Sequence, residues 1–248
     1  MDDGNDHKRH HCCFQEWMHL QEADLDELLR AKAVAAASST GSTAELRALV
    51  AKNVRHYQDY TERRRVLARE DPPSFFSPKW CSCFENSFLW MAGCRPSLAI
   101  HLLYTLTGAE MESHLDEFLR GLTTDVGELS AGQLALVNDL HLRTMREEET
   151  LGSRMASLQE EMADKPLVPL ARNRGEVSLG AVQGAMDGYE GFLAGILEDA
   201  DALRIKTLKE ILGILSPTQA VDYLAAAKQL HLAVHEWGSQ RESTRGSI

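Results

Sequence analysis

Apolar side chains recur along this chain at intervals of three and four residues, which is the spacing of one face of an α-helix. The first such face lies between Phe14 and Leu29, and Gln21 is its single polar residue; its apolar members are Phe14, Trp17, Met18, Leu25, Leu28 and Leu29. A second run extends from Leu46 to Leu67. The same spacing predicts further helices over residues 80–91, 96–107, 110–120, 131–163, 178–215 and 217–237. Since no run alternates with the period of two typical of strands, the pattern predicts an all-α bundle of long antiparallel helices.

Small, polar and proline-rich stretches separate these predicted helices. We expect linkers near residues 35–43, 70–78 and 164–176, the latter two because proline lacks an N–H and disfavours helical geometry in the residue before it. Residues 12–237 then form one domain, and the polar segments 1–11 and 238–248 are expected to be disordered tails. Ser130, followed three residues later by Gln133, is predicted to cap the helix over 131–163.

Composition narrows the functional class. The chain has 248 residues, 44% of them hydrophobic, and a net charge of −11, which disfavours direct DNA binding. No apolar run is long enough to span a membrane. The cysteines form no secreted-type framework, so cytosol and nucleus are the expected locations. No nucleotide loop, Ser-His-Asp order or metalloprotease motif is present, and we expect a protein that is not an enzyme.

The segment Phe76–Leu106 carries the most specific pattern, in which Trp80, Glu85 and Trp90 precede a Gly-Cys-Arg-Pro break that contains Arg95. Glycine suits the end of one helix and proline the first turn of the next. A buried carboxylate is costly unless it is paired. We therefore expect Glu85 to contact Arg95, either as a structural ion pair or as part of a partner or ligand site.

A second carboxylate, Glu148, interrupts the apolar seam of the helix predicted over 131–163. It requires a cationic partner for the same reason, and Arg95 and Arg204 are the candidates. We interpret these residues as a structural network rather than as a catalytic acid and its partners.

Glycines recur at helical spacing on one face of the helix predicted over 178–215, at Gly180, Gly184, Gly188, Gly191 and Gly195. Each costs about 1 kcal/mol relative to alanine, so an interaction should offset the cost. Close approach of another helix, a slot for an apolar ligand and a dimer contact are the alternatives.

His231 and His235 are the candidate cofactor ligands. Their spacing of four places them about 40° apart on one helical face, beside an apolar stripe. They could ligate a metal or a haem iron, or they could cover the edge of the core. The N-terminal cluster of histidines and cysteines over residues 7–13 lacks the spacing of a structural zinc site, and no metal site is predicted there.

Four motifs in chain order resemble the domain shared by plant delay-of-germination (seed dormancy) proteins and the C-terminal half of TGA-type bZIP transcription factors. The longest comprises Trp80, Glu85, Phe88, Trp90, Gly93, Arg95, Pro96 and Ser97. The N-terminal motif comprises Phe14, Trp17, Leu28 and Leu29. The other two comprise Leu129, Ser130, Gln133, Glu148, Leu151 and Gln159, and Ala200, Asp201, Leu203, Arg204, Thr207 and Leu208. The resemblance covers about residues 12–237.

TGA-type factors carry a basic region and a zipper before this domain, whereas only about eleven residues precede it here. The dormancy branch is therefore the closer match, and no groove-reading helix is expected. That branch implies a non-enzymatic regulator of seed dormancy and abscisic acid signalling that binds type 2C protein phosphatases. It also implies haem binding in part of the family, with His231 and His235 as the ligands here. Association with TGA-type factors and homodimerisation are further expectations.

The first helix is the predicted partner-contacting element, because its terminal position makes it the easiest helix to displace or share. The contact residues predicted on it are Phe14, Trp17, Leu25 and Leu28.

Overall fold

The computed structural model describes residues 3–37, 43–108, 129–164 and 179–245. Within them lie eight helices: α1 (Asp3–Ala37), α2 (Thr43–Glu70), α3 (Pro72–Phe76), α4 (Cys83–Asn86), α5 (Pro96–Leu106), α6 (Ala131–Asp164), α7 (Leu179–Ile214) and α8 (Pro217–Arg245). These ranges contain no strand, only an isolated bridge between Trp90 and Gly93. The predicted all-α class is confirmed. The helix expected over 110–120 lies outside the described residues.

Ion pairs between neighbouring helices show that the long helices run antiparallel, because partners advance along one helix as they retreat along the other. Between α1 and α2 the pairs are Arg9–Glu70, Glu16–Arg63 and Glu27–Lys52. Between α6 and α7 they are Arg143–Glu210, Glu147–Lys206 and Arg154–Asp199. All six are largely exposed, so they contribute little to the free energy of unfolding.

The main hydrophobic core lies where α1, α2, α5, α6, α7 and α8 meet. Its fully buried side chains include Leu28, Ile100, Leu103, Val137, Ile211 and Leu224. Burying each contributes roughly 1.5–3 kcal/mol. The cap predicted for α6 is confirmed, since the Ser130 N–H donates to Gln133 Oε1 at 3.0 Å and the Gln133 N–H donates to Ser130 Oγ at 3.2 Å. None of the described helices has the length and hydrophobicity needed to span a bilayer.

The prediction of a helix over 80–91 is wrong, because only one helical turn, α4, forms there. Polar side chains compete with the helical backbone in this segment. The Asn86 side chain donates to the carbonyls of Pro78 and Cys81, and Ser87 Oγ donates to the carbonyl of Phe84. The chain then leaves helical geometry, and the Phe88 side chain is 57% exposed.

The structure also differs from the expected boundaries. Helix α1 begins at Asp3, inside the expected tail 1–11, because His10 is buried against the rings of Phe75 and Trp80. Helix α8 continues to Arg245, inside the expected tail 238–248, because its last turns pack against α4. The expected linker 70–78 contains the short helix α3.

Candidate functional site

A strained turn over residues 90–93 precedes the Arg95-Pro96 pair at the start of α5. Trp90 and Gly93 exchange backbone hydrogen bonds of 2.8 and 3.2 Å. Between them Met91 and Ala92 have φ angles of 45° and 61°. This left-handed geometry costs a residue with a side chain roughly 1–2 kcal/mol, so other contacts must stabilise the turn.

Arg204 of α7 provides most of those contacts. Its Nε donates to the carbonyl of Cys94 at 2.7 Å, and its Nη2 donates to the carbonyls of Trp90 and Met91. Its Nη1 donates to Asp201 Oδ1 at 2.6 Å, and its guanidinium lies 5.6 Å from the Trp90 ring centre. One side chain thereby fixes three carbonyls of the turn.

Arg64 of α2 also binds this turn. Its Nη2 donates to the carbonyl of Ala92, and its Nε lies 3.3 Å from Asp201 Oδ2. Asp201 therefore lies between two arginines that both hold the turn. Gly93 is required there, because a Cβ at this position would lie 2.7 Å from Arg204 Cζ.

Glu148 of α6 holds the end of the same segment. It is 1% exposed and accepts hydrogen bonds from Arg95 Nε at 2.7 Å, the Ser97 N–H at 2.6 Å and Ser97 Oγ at 3.1 Å. The pairing of Glu148 with Arg95 is confirmed. The predicted contact between Glu85 and Arg95 is wrong, because Arg95 is occupied by Glu148 and Glu85 has partners of its own.

Glu85 connects α4 to α8. Its Oε1 accepts from His235 Nδ1 at 2.7 Å, and its Oε2 accepts from the N–H and Oγ of Ser82, both at 2.7 Å. The Ser82 side chain in turn caps α4. His235 also packs edge-on against the ring of Phe14, 5.5 Å away. His235 thus joins α1, α4 and α8.

The close approach of α8 to this cluster requires Gly238. We expect Gly238→Ala to destabilise the protein by about 1–3 kcal/mol through overpacking, because the added Cβ would lie 2.1 Å from Ser82 Oγ. The matched control is Gly152→Ala on α6, where no atom lies within 4 Å of an added Cβ and alanine should stabilise by up to about 1 kcal/mol. Urea unfolding of both variants checks this, and equal stabilisation by both would contradict it.

The two predicted haem ligands, His231 and His235, have different surroundings on α8. His231 is partly buried, and burial lowers its pKa to about 4, so its imidazole is neutral at pH 7. His235 Nδ1 is engaged by Glu85. Most residues that line the surface depression beside His235 are polar: the lining comprises Glu22, Leu232, Glu236, Ser239, Gln240, Ser243 and Thr244. Haem binding by these histidines stays a prediction, which a haemin titration at the Soret band would test.

The residues predicted to contact a partner on α1 lie mostly in the core. Phe14, Trp17 and Leu28 are 8%, 5% and 0% exposed, and Leu25 is partly buried. Trp17 stacks on Tyr60 with ring centres 4.3 Å apart. In the packed bundle these three buried side chains cannot form the contact surface, because they hold α1 against α2 and α8.

A buried polar group fixes α1 more specifically. Lys228 of α8 is 0% exposed, and its Nζ donates to Asp24 Oδ2 at 3.0 Å and to Gln21 Oε1 at 3.1 Å. Asp24 also accepts from His56 Nδ1 at 2.9 Å. Burial lowers the pKa of Lys228 to about 8. This network joins α1, α2 and α8.

The glycine face of α7 is open towards the rest of the described structure. No atom lies within 4 Å of a Cβ added at Gly184, Gly188, Gly191 or Gly195. The close approach of another helix is therefore not found among the residues described.

In the part of the chain that the structure describes, no group of three or more His, Cys, Asp or Glu side chains comes close enough together to hold a metal ion.

The fold and the site together define an all-helical protein in which buried charged residues link the helices. Comparison with known proteins identifies its family. Residues 18–105 match the DOG1 family, described as seed dormancy control. Protein DOG1-like 3 of Arabidopsis thaliana is 37% identical over 245 residues, covering 94% of this chain and 85% of the relative. The chain therefore belongs to the DOG1-like family.

Two more distant relatives extend the comparison. Protein RESPONSE TO ABA AND SALT 1 of Arabidopsis thaliana is 27% identical over 210 residues, covering 81% of this chain and 82% of the relative. Transcription factor TGA6 of the same plant is 26% identical over 227 residues, covering 90% of this chain but 59% of the factor. The expected resemblance to dormancy proteins and to TGA factors is confirmed.

Proposed function

We propose that the protein regulates seed dormancy and abscisic acid responses by binding other proteins, with type 2C protein phosphatases as partners. Membership of the DOG1-like family and the relative named for the response to ABA and salt support the regulatory role. The phosphatase as partner comes from the family resemblance, and action in the nucleus and cytosol comes from the absence of a secreted-type cysteine framework.

The observation that carries the proposal is the two-sided character of α1. Its inner face is fixed to α2 and α8, whereas Gln15, His19, Glu22 and Asp26 are exposed at helical spacing on its outer face. This stripe continues to Leu29, which is 37% exposed. A rigid, acidic stripe that ends on an apolar side chain is suited to a partner surface with basic residues around an apolar patch.

Binding of purified type 2C phosphatase to the full chain tests the proposal. Glu22→Lys combined with Asp26→Lys should weaken binding by about tenfold or more through charge reversal, measured by isothermal titration calorimetry. The control is Glu149→Lys combined with Glu160→Lys, which reverses two exposed charges on α6 and should leave the dissociation constant unchanged. Equal binding by both variants would exclude the α1 stripe, and no binding by the unchanged chain would exclude the partner. Deleting α1 is not a usable test, because it removes core residues.

Association with TGA-type factors is a second candidate, favoured by the similarity to TGA6 over 90% of this chain. The chain would supply the shared helical domain, and the factor would supply DNA binding. Co-elution of the purified chain with a full-length TGA factor in size-exclusion chromatography tests it, and separate elution at micromolar concentrations would count against it.

A further inference from the structure

A shallow groove lies along an exposed face of α6, beside the strained turn over residues 90–93. Its lining on α6 begins at Leu142 and ends at Ala156, at positions that recur with helical spacing over about 21 Å. Trp90 and Arg95, which lie between α4 and α5, line it as well. A groove that follows a helix in this way has the form needed to receive a second helix.

The groove presents large apolar side chains towards one end of α6 and an open backbone further along. Leu142 and Met145 are 57% and 46% exposed, and the partly buried Trp90 belongs to the same lining. No atom lies within 4 Å of a Cβ added at Gly152. Aromatic residues, methionine and arginine are enriched in protein interfaces, whereas small ligands require a more enclosed pocket. The composition therefore favours a protein partner.

The polar groups that a partner would meet in the groove are mainly donors. Arg95 is 49% exposed and donates through Nε to Glu148, which leaves its outer nitrogens available. Arg146 is exposed, and its guanidinium has no ion-pair partner in the part of the chain that the structure describes. Glu148 is buried, and both its oxygens already accept from Arg95 and Ser97. Glu149 is the exposed carboxylate of the lining.

We propose that this groove binds an amphipathic helix of another protein, one that carries carboxylates on both sides of an apolar stripe. Guanidinium groups bind carboxylates in a matching planar geometry, and the apolar stripe would cover Trp90, Leu142 and Met145. A basic helix would instead be repelled by the two arginines. Since the chain has a net charge of −11, the groove is a place where an acidic partner escapes the general repulsion.

This surface goes beyond the proposed binding of phosphatases, because it differs from the α1 stripe in position and in charge. Helix α1 packs on α2 and α8, whereas α6 packs on α5 and α7. The α1 stripe is acidic and selects a basic partner, and the α6 groove selects an acidic one. The protein thereby presents two surfaces of opposite preference on different helices.

Three synthetic peptides of about 18 residues, each long enough as a helix to span about 27 Å, test the chemistry of the partner. The first carries leucines at helical spacing flanked by glutamates, the second has lysine for every glutamate, and the third has serine for every leucine. Fluorescence anisotropy with the full chain should show that the first binds about tenfold or more tightly than the other two. Added salt should weaken its binding.

Two variants of the full chain locate the binding to the groove. Gly152→Trp fills the groove, and Arg146→Glu reverses one of its charges, so each should weaken binding of the acidic peptide by about tenfold or more. The control is Arg55→Glu, at an exposed position of α2, which should leave the dissociation constant unchanged. Arg95 is kept in every variant because it also holds Glu148.

Urea unfolding separates lost binding from lost folding. Gly152→Trp should be at least as stable as the wild type, because tryptophan favours a helix more than glycine and the position is open. Weakened binding in both groove variants, with full binding in Arg55→Glu, would support the proposal. Equal binding of the glutamate and lysine peptides, full binding by either groove variant, or no binding of the acidic peptide would overturn it. No phosphatase takes part, so these outcomes are independent of the α1 stripe.

Discussion

Replacing Arg204 by methionine is expected to lower the free energy of unfolding by about 3–5 kcal/mol, which is the cost of removing one partner from a buried ion pair. The Arg204 and Asp201 side chains are only 12% and 6% exposed. The substitution would leave the carbonyls of Trp90, Met91 and Cys94 without their donor. It would also release the left-handed turn at Met91 and Ala92. Urea unfolding followed by circular dichroism measures the loss.

Two further variants separate the role of Arg204 from a general effect of charge. Arg204→Lys keeps the charge but cannot donate to three carbonyls and a carboxylate from one planar group, so it should recover only part of the lost stability. Arg143→Met removes an exposed arginine that links α6 to α7, and its stability should change little. Full recovery by lysine, or an equal loss in Arg143→Met, would show that the geometry of the guanidinium is unimportant.

The long helices could be predicted from the sequence because their apolar spacing is a local property. Helices α6 and α7 begin and end within a residue or two of their predicted limits. The prediction of a helix over 80–91 was wrong because the aromatic residues of this segment recur at helical spacing, whereas the contacts that bend the chain come from residues outside the segment. The carbonyls of its turn are bound by Arg64 and Arg204, which are distant in sequence.

The same limit applies to the site. The sequence identified Glu148 as a buried carboxylate in need of an arginine, because it interrupts an apolar seam. Lys228 and Asp24 interrupt apolar faces of α8 and α1 in the same way, and this signal was missed. Which acid pairs with which base cannot be read from periodicity, so Glu85 was assigned to Arg95 instead of to His235. Three of the partner-contacting residues predicted on α1, Phe14, Trp17 and Leu28, lie in the core of the packed bundle, because apolar periodicity marks the face that packs there.

Asp24→Leu is expected to lower the free energy of unfolding by about 3 kcal/mol at pH 7, because it leaves the ammonium of Lys228 buried without its counter-ion. The loss should be smaller at pH 9. Burial already lowers the pKa of Lys228 to about 8 from 10.5, and without Asp24 it falls further. The unfolded chain then binds one proton more than the folded chain between that lowered value and about 10.5, so the stability of the variant rises with pH across this window.

The double variant Asp24→Leu with Lys228→Met separates the unpaired charge from a loss of packing. Replacing both partners by apolar side chains removes the buried charge, so most of the stability should return and the additional pH dependence should disappear. Urea unfolding of the wild type and both variants at pH 7 and pH 9 provides the comparison, since contributions from other titrating groups cancel between chains. A double variant as unstable as Asp24→Leu would contradict this prediction. It would show that the shape of these two side chains, and not the buried ion pair, holds α1 in place. The outer face of α1 is the surface proposed to bind phosphatases.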